Sequence, residues 1–198
     1  MKKVQTAVFQ KPKEGKYLCG DSYFYLETEN EFLCAIADGL GSGEHAKESS
    51  KIVIDIIREN INQPIEKIIK ICNDQLFGKR GVVLGVLKLD FRSVVYSFSS
   101  IGNIGIVVVD PDNQKKRNIP SSGYLAGYPR KFKVIREKLQ SNMNFIMFSD
   151  GVTDKDLSEM RVFGEDVENI IETYKYRSNP VRDDDTTLIA MRYKNTAS

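Results

Sequence analysis

The sequence predicts an α/β sandwich of four layers, αββα: two antiparallel sheets packed face to face, with helices on the outer faces. Three observations carry this. Apolar runs of four to eight residues alternate with polar turns along most of the 198 residues, which reads as many short strands. Two amphipathic helical segments fall together in one place instead of one after each strand, so the pattern is not regular βαβ alternation. The length suits one domain, read as residues 1–198, able to bury roughly 70% of the surface its unfolded form exposes.

Nine strands are expected, over Val4–Phe9, Ser22–Leu26, Phe32–Ala37, Gly81–Leu89, Val94–Ser100, Ile104–Val109, Lys131–Arg136, Asn144–Ser149 and Thr187–Arg192. Val94, Tyr96 and Phe98 alternate with Val95, Ser97 and Ser99, the mark of a half-buried strand. Phe32–Ala37 is apolar throughout and is expected to be covered on both faces. Between the third and fourth strands, Ala46, Ser49, Ser50, Val53, Ile56 and Ile57 give a helix over Glu44–Asn60. A second helix starts at Pro64, presents Ile65, Ile68, Ile69, Cys72 and Leu76, and stops at Gly78. A weaker one covers Glu165–Tyr174, with Val167, Ile170 and Ile171 inward. Asp110-Pro-Asp-Asn113 is a turn, followed by the basic Lys115-Lys-Arg117.

Composition narrows the chemistry. Lys and Arg number 29 against 27 Asp and Glu, too even to make nucleic acid the default partner. No apolar run approaches the ~18–20 residues of a membrane span. The three cysteines, Cys19, Cys34 and Cys72, contain no CxxC pair, which argues against zinc fingers and disulfides and for a reducing compartment. The single histidine, His45, leaves almost nothing for a Ser-His-Asp triad. Catalysis would have to run on carboxylates.

Aspartates stand where strands meet loops, beside small residues: Asp21 in Cys-Gly-Asp-Ser, Asp38 in Ala-Asp-Gly-Leu, Asp150 in Ser-Asp-Gly, and the run Asp183-Asp184-Asp185. A carboxylate ending a buried strand is desolvated and costly unless a cation compensates it. Several all-oxygen donors point to Mg2+ or Mn2+ rather than zinc. Asp-Gly is also a common turn, and spacing alone leaves unrelated turns and a shared metal site both open.

Gly20-Asp21, Ala37-Asp-Gly39, Ser149-Asp-Gly151 and the late Asp-Asp-x-Thr resemble, in order, the metal-binding motifs of the PPM family, in its short bacterial SpoIIE-like branch. These are Mg2+/Mn2+-dependent serine/threonine protein phosphatases. The flanks Gly39-Leu-Gly-Ser-Gly43, Lys79-Arg-Gly81, Gly102-Asn103 and Ser122-Gly-Tyr-Leu125 are similar to a small stand-alone member of the sigma-B stress pathway. The resemblance implies two ions: Asp38 bridging both with the Gly39 carbonyl on one, Asp21 on the second, and Asp150 and Asp184 on the first. Asp183 is the fallback, but with Asp184 as ligand Thr187 leads directly into the apolar Leu188–Met191.

The resemblance also implies hydrolysis of phosphoserine or phosphothreonine by a metal-bridging hydroxide, with Asp38 and Asp150 acting through the metal-bound water. Its expected setting is a cytoplasmic monomer acting on phosphorylated stressosome proteins of RsbS and RsbR type and holding sigma-B activity down. A non-catalytic phosphoprotein-binding module of the same fold is the alternative, although every carboxylate position is filled. The glycine-rich Gly39–Gly43 loop lacks a nucleotide-binding signature and is read as the rim of the metal site. Where many relatives place a histidine after Asp-Gly, this chain has Leu40, and His45 is expected to be a solvated surface residue. The general acid therefore stays unassigned. Tyr128–Lys133 with Arg136 and Lys138 reads as a solvated basic hairpin or a surface steering an acidic partner. Thr153 or Asp154 is expected to cap a helix, with a weak extra metal at Asp154 as the alternative. Cys34 and Cys72 are expected to be inert core, and Cys19 to be a candidate for oxidation or soft-metal binding.

Overall fold

The computed structural model describes residues 2–159 and 166–195. Its strands are β1 (Val4–Lys11), β2 (Asp21–Glu27), β3 (Glu31–Gly39), β4 (Val82–Asp90), β5 (Val95–Ile101), β6 (Gly105–Val109), β7 (Lys115–Arg117), β8 (Ile135–Lys138), β9 (Asn144–Phe148) and β10 (Thr186–Tyr193). The helices are α1 (Glu44–Glu59), α2 (Ile65–Gln75), α3 (Asp154–Glu159) and α4 (Val167–Arg177). Strands form two five-stranded antiparallel sheets, ordered β1-β10-β9-β6-β7 and β2-β3-β4-β5-β8.

Three apolar layers hold the sandwich in the expected αββα order. Between the sheets lie Phe32, Cys34, Ile36, Leu87, Phe98, Phe145, Met147 and Ile189. The opposite face of β3, with Leu33, Ala35 and Ala37, meets Val53, Ile57, Ile68, Ile69 and Cys72 of α1 and α2. Residues one apart on a strand thus enter different layers, and the unbroken apolar run of β3 is the sequence record of burial on both faces. On the far side Ile146, Leu188 and Ala190 meet Val167, Ile170, Ile171 and Tyr174 of α4.

Several elements depart from the sequence reading, each for a local reason. Val94 is an exposed turn residue at φ 54°, not the first residue of β5, and Ser99 and Ser100 are buried, so the end of that strand is covered on both faces. β8 starts four residues later and ends two later than expected because Ser121 already bonds to Ser100 O and Gly102 N, leaving only Val95–Phe98 open to pairing. Lys131–Val134 is therefore irregular rather than one arm of a hairpin. β7, wholly exposed Lys-Lys-Arg, carries no apolar signal; charge is how edge strands resist further pairing. α3 is short and exposed, and is capped as anticipated: Asp156 N–H donates to Thr153 Oγ1 (3.1 Å) and Thr153 N–H to Asp156 Oδ2 (3.0 Å). Of the third expected helix, Glu165 lies outside the described residues.

Candidate metal centre

The topology brings four segments to one edge. Asp21, opening β2, and Asp38, near the end of β3, are directly opposed in the register of one sheet. In the other sheet β9 ends two residues before Asp150, and β10 begins directly after the Asp183–Asp185 run. Thr187 crosses between the sheets: its hydroxyl donates to Asp21 Oδ2 at 2.6 Å.

Glycine permits the close packing. A Cβ on Gly39 would lie 2.0 Å from the Ala46 carbonyl oxygen, so a bare backbone is what lets α1 sit against the end of β3. A Cβ on Gly151 would lie 2.3 Å from the Asp185 carbonyl oxygen and 2.4 Å from Thr186 Oγ1.

Asp21 is 1% exposed, and its Oδ1 is buried with no hydrogen-bond partner. Burial pushes its carboxyl up to about 6, with Asp185 and Asp150 adding repulsion and the Thr187 and Ser149 hydroxyls opposing. Asp38, half-buried, is pushed up to about 8, first by burial and then by the charges of Asp21, Asp150, Asp184 and Asp185. Asp150 is also raised, by desolvation and then by Asp184, although the Asn103 amide donates to its Oδ2 at 2.6 Å. In the late run the charges that bear on both Asp38 and Asp150 are those of Asp184 and, after it, Asp185; Asp183 and Asp184 are both exposed, and Asp185 is buried.

Asp185 has a different task that its position in the run concealed. Its two oxygens accept from Lys13 N–H (2.8 Å) and Gly20 N–H (2.7 Å), clamping the loop that leads into Asp21. Lys47 stands close by, but its ammonium goes to the Asp21 carbonyl (2.6 Å) and Ser22 Oγ (3.1 Å). Among the described residues no ion pair reaches Asp21, Asp38, Asp150 or Asp184. Nor, among those residues, do three Asp, Glu, His or Cys side chains close into a finished cage. The carboxylates repel one another across an open edge. A buried carboxylate oxygen without a partner, beside like charges without a counter-ion, fits a hard divalent cation bound through oxygen.

The remaining candidates fall outside this group. His45 is exposed beside Glu48 at 3.9 Å, as expected. Leu40 packs against the inter-sheet core. Asp154 is exposed and ion-paired with Arg117 at 2.6 Å. Burial, then Asp21 and Asp185, push the Cys19 thiol up to about 12, the direction opposite to that of a reactive thiolate. Cys34 and Cys72 are fully buried. In the basic stretch, Arg130 is spent on the Tyr124 and Ser122 carbonyls and Arg136 on Glu66, while Lys131 and Lys133 line an open depression.

An αββα sandwich with an acidic edge of this kind defines a PP2C-type phosphatase, and comparison with known proteins agrees. The family model for Stage II sporulation protein E (SpoIIE) matches residues 28–194. Phosphoserine phosphatase RsbX of Bacillus subtilis (strain 168) is 35% identical over 186 residues, 94% of each chain. The crystal structure of RsbX in complex with magnesium superimposes with a TM-score of 0.89, at 35% identity over 96% of both chains. A chain from a structural account of the bacterial stressosome gives 0.85 at 23% identity, covering 96% of this chain and 100% of that one. The PP2C phosphatase domain of SpoIIE from Bacillus subtilis, solved with a fragment of its regulatory domain, gives 0.80 at 21% identity over 98% of this chain and 63% of that one, a likeness of fold. The chain belongs to the SpoIIE family of PP2C phosphatases, and it is a protein phosphatase. Among the described residues no helix is long and apolar enough to cross a membrane.

Proposed function

We propose that this chain removes phosphate from phosphoserine or phosphothreonine on partner proteins, with two divalent cations, Mg2+ or Mn2+, held at the carboxylate edge. In this reading Asp38 and the Gly39 carbonyl serve the shared position, Asp21 holds the second cation, and Asp150 and Asp184 hold the first. The observation that carries it is the orphaned, buried Oδ1 of Asp21 beside a group of carboxylates that, among the described residues, no ion pair reaches. Cations bound there would supply Lewis-acid chemistry, making a water acidic enough to attack phosphorus and offsetting charge on the phosphoryl oxygens.

The side chains do the positioning. Pairing of β2 with β3 sets Asp21 against Asp38. Asn103 holds one oxygen of Asp150, and Asp185 N–H holds Asp184 Oδ1 at 2.9 Å. His45, turned to Glu48 on the surface of α1, is not placed to protonate a leaving serine.

The likeness to a phosphoserine phosphatase over almost the whole chain supports the substrate class, and the stressosome relative supports the setting. We accordingly assign the targets to phosphorylated stressosome proteins of RsbS and RsbR type, dephosphorylated by a monomeric cytoplasmic domain of residues 1–198 that keeps sigma-B activity low. The test is single-turnover dephosphorylation of the purified phosphoproteins in 18O water, with Mg2+ and Mn2+ in turn. One 18O should enter each phosphate released, and chelation should stop the reaction. A trapped phosphorylated form of the chain, or turnover indifferent to chelator, would contradict the proposal.

A further inference from the structure

Asp21 is aimed by a side chain from the other sheet. Thr187, on β10, is fully buried, and its Oγ1 lies 2.6 Å from Asp21 Oδ2 and 3.0 Å from Gln10 Nε2. A hydroxyl has one proton. With the Gln10 amide donating to it, the Thr187 proton goes to the carboxylate. Gln10 also reaches the Asp21 carbonyl at 3.4 Å. The threonine itself has little freedom: it is β-branched, its N–H donates to Ser149 Oγ at 2.9 Å, and its carbonyl accepts from Ser149 N–H at 3.0 Å. One oxygen of Asp21 is therefore fixed from across the sandwich, while the other is left buried with no partner.

We propose that Thr187, backed by Gln10, is a positioning residue that turns Asp21 Oδ1 toward the divalent cation and latches the two sheets at the metal centre. The inference rests on the two-cation reading above. Groups that orient metal ligands from behind typically hold about 10–100-fold of the affinity.

The test is Mn2+ binding to the metal-free chain, followed by the loss of the free-ion electron paramagnetic resonance signal with no substrate present. Thr187→Val should weaken Mn2+ binding at one of the two positions by about 10-fold or more. Thr187→Ser, which keeps the hydroxyl, should bind as wild type does. Equal affinity for Thr187→Val and wild type overturns the inference, as does an equal loss in the serine variant. If the valine variant does not fold, Gln10→Leu at its exposed position substitutes: weaker binding supports the relay, and unchanged binding overturns it. Wild type that binds no Mn2+ overturns the two-cation reading itself, so the two failures are distinguishable.

Discussion

Asp38→Asn is expected to reduce hydrolysis to background with either metal while raising the melting temperature of the metal-free chain. Both effects have one cause. In the proposed two-cation reading both ions need Asp38, yet without them it is a carboxylate among carboxylates in a partly desolvated place. Its carboxyl rises from 3.8 to about 8, so the folded chain holds a proton that the unfolded chain has lost. A folded-state pKa raised in this way removes stability as pH climbs from the unfolded value to the folded one. The melting temperature of metal-free wild type should therefore fall between about pH 4 and pH 8 and level off above. Asparagine removes most of that slope, leaving the parts due to Asp21, which ends at about 6, and to Asp150, which is raised as well. A chain of this length gains ~2–4 °C per kcal/mol, so a rise of about 3 °C or more is expected near pH 7.5. Thermal melts across pH check this; an unchanged or lower melting temperature would mean that Asp38 carries no such burden.

The second large effect is steric. Gly39→Ala should cost about 3 kcal/mol in urea unfolding, because the new Cβ would meet the Ala46 carbonyl oxygen at 2.0 Å and its carbonyl carbon at 2.6 Å. Those atoms are helix backbone and cannot swing aside, so α1 must lift from the end of β3 and disturb Asp38. Gly43→Ala is the control. Nothing lies within 4 Å of a Cβ there, and the φ of +83° limits the expected cost to about 1 kcal/mol. Equal costs at the two positions would mean that α1 is not docked against Gly39.

Most of the fold was legible because burial writes itself into strand composition. β3 is covered on both faces and reads as an unbroken apolar run; α1 and α2 bury one stripe each and show helical spacing. What lacked burial lacked signal: β7 is all basic and α3 lies on the surface. The position of β8 was lost for another reason, since Ser121, distant in sequence, occupies the length of β5 that would otherwise pair. Asp21, Asp38 and Asp150 could be singled out because strand-end carboxylates beside glycine are costly in isolation. The division of labour in the triple-aspartate run could not be read. Asp184 and Asp185 are chemically identical, and only the path of the loop from Lys13 to Gly20 makes Asp185 a clamp. Thr187 belongs to the Asp-Asp-x-Thr pattern, but its bond to Asp21 spans 166 positions and exists only once the two sheets have packed.

The most direct test of the metal centre is anomalous diffraction from crystals of the wild-type chain grown with Mn2+. Two peaks about 3.5–4 Å apart are predicted, with Asp38 touching both, Asp21 on one side, and Asp150 and Asp184 on the other. Ordered Mn2+ only at other surfaces, with the Asp21–Asp38 edge empty at saturating metal, would contradict the account.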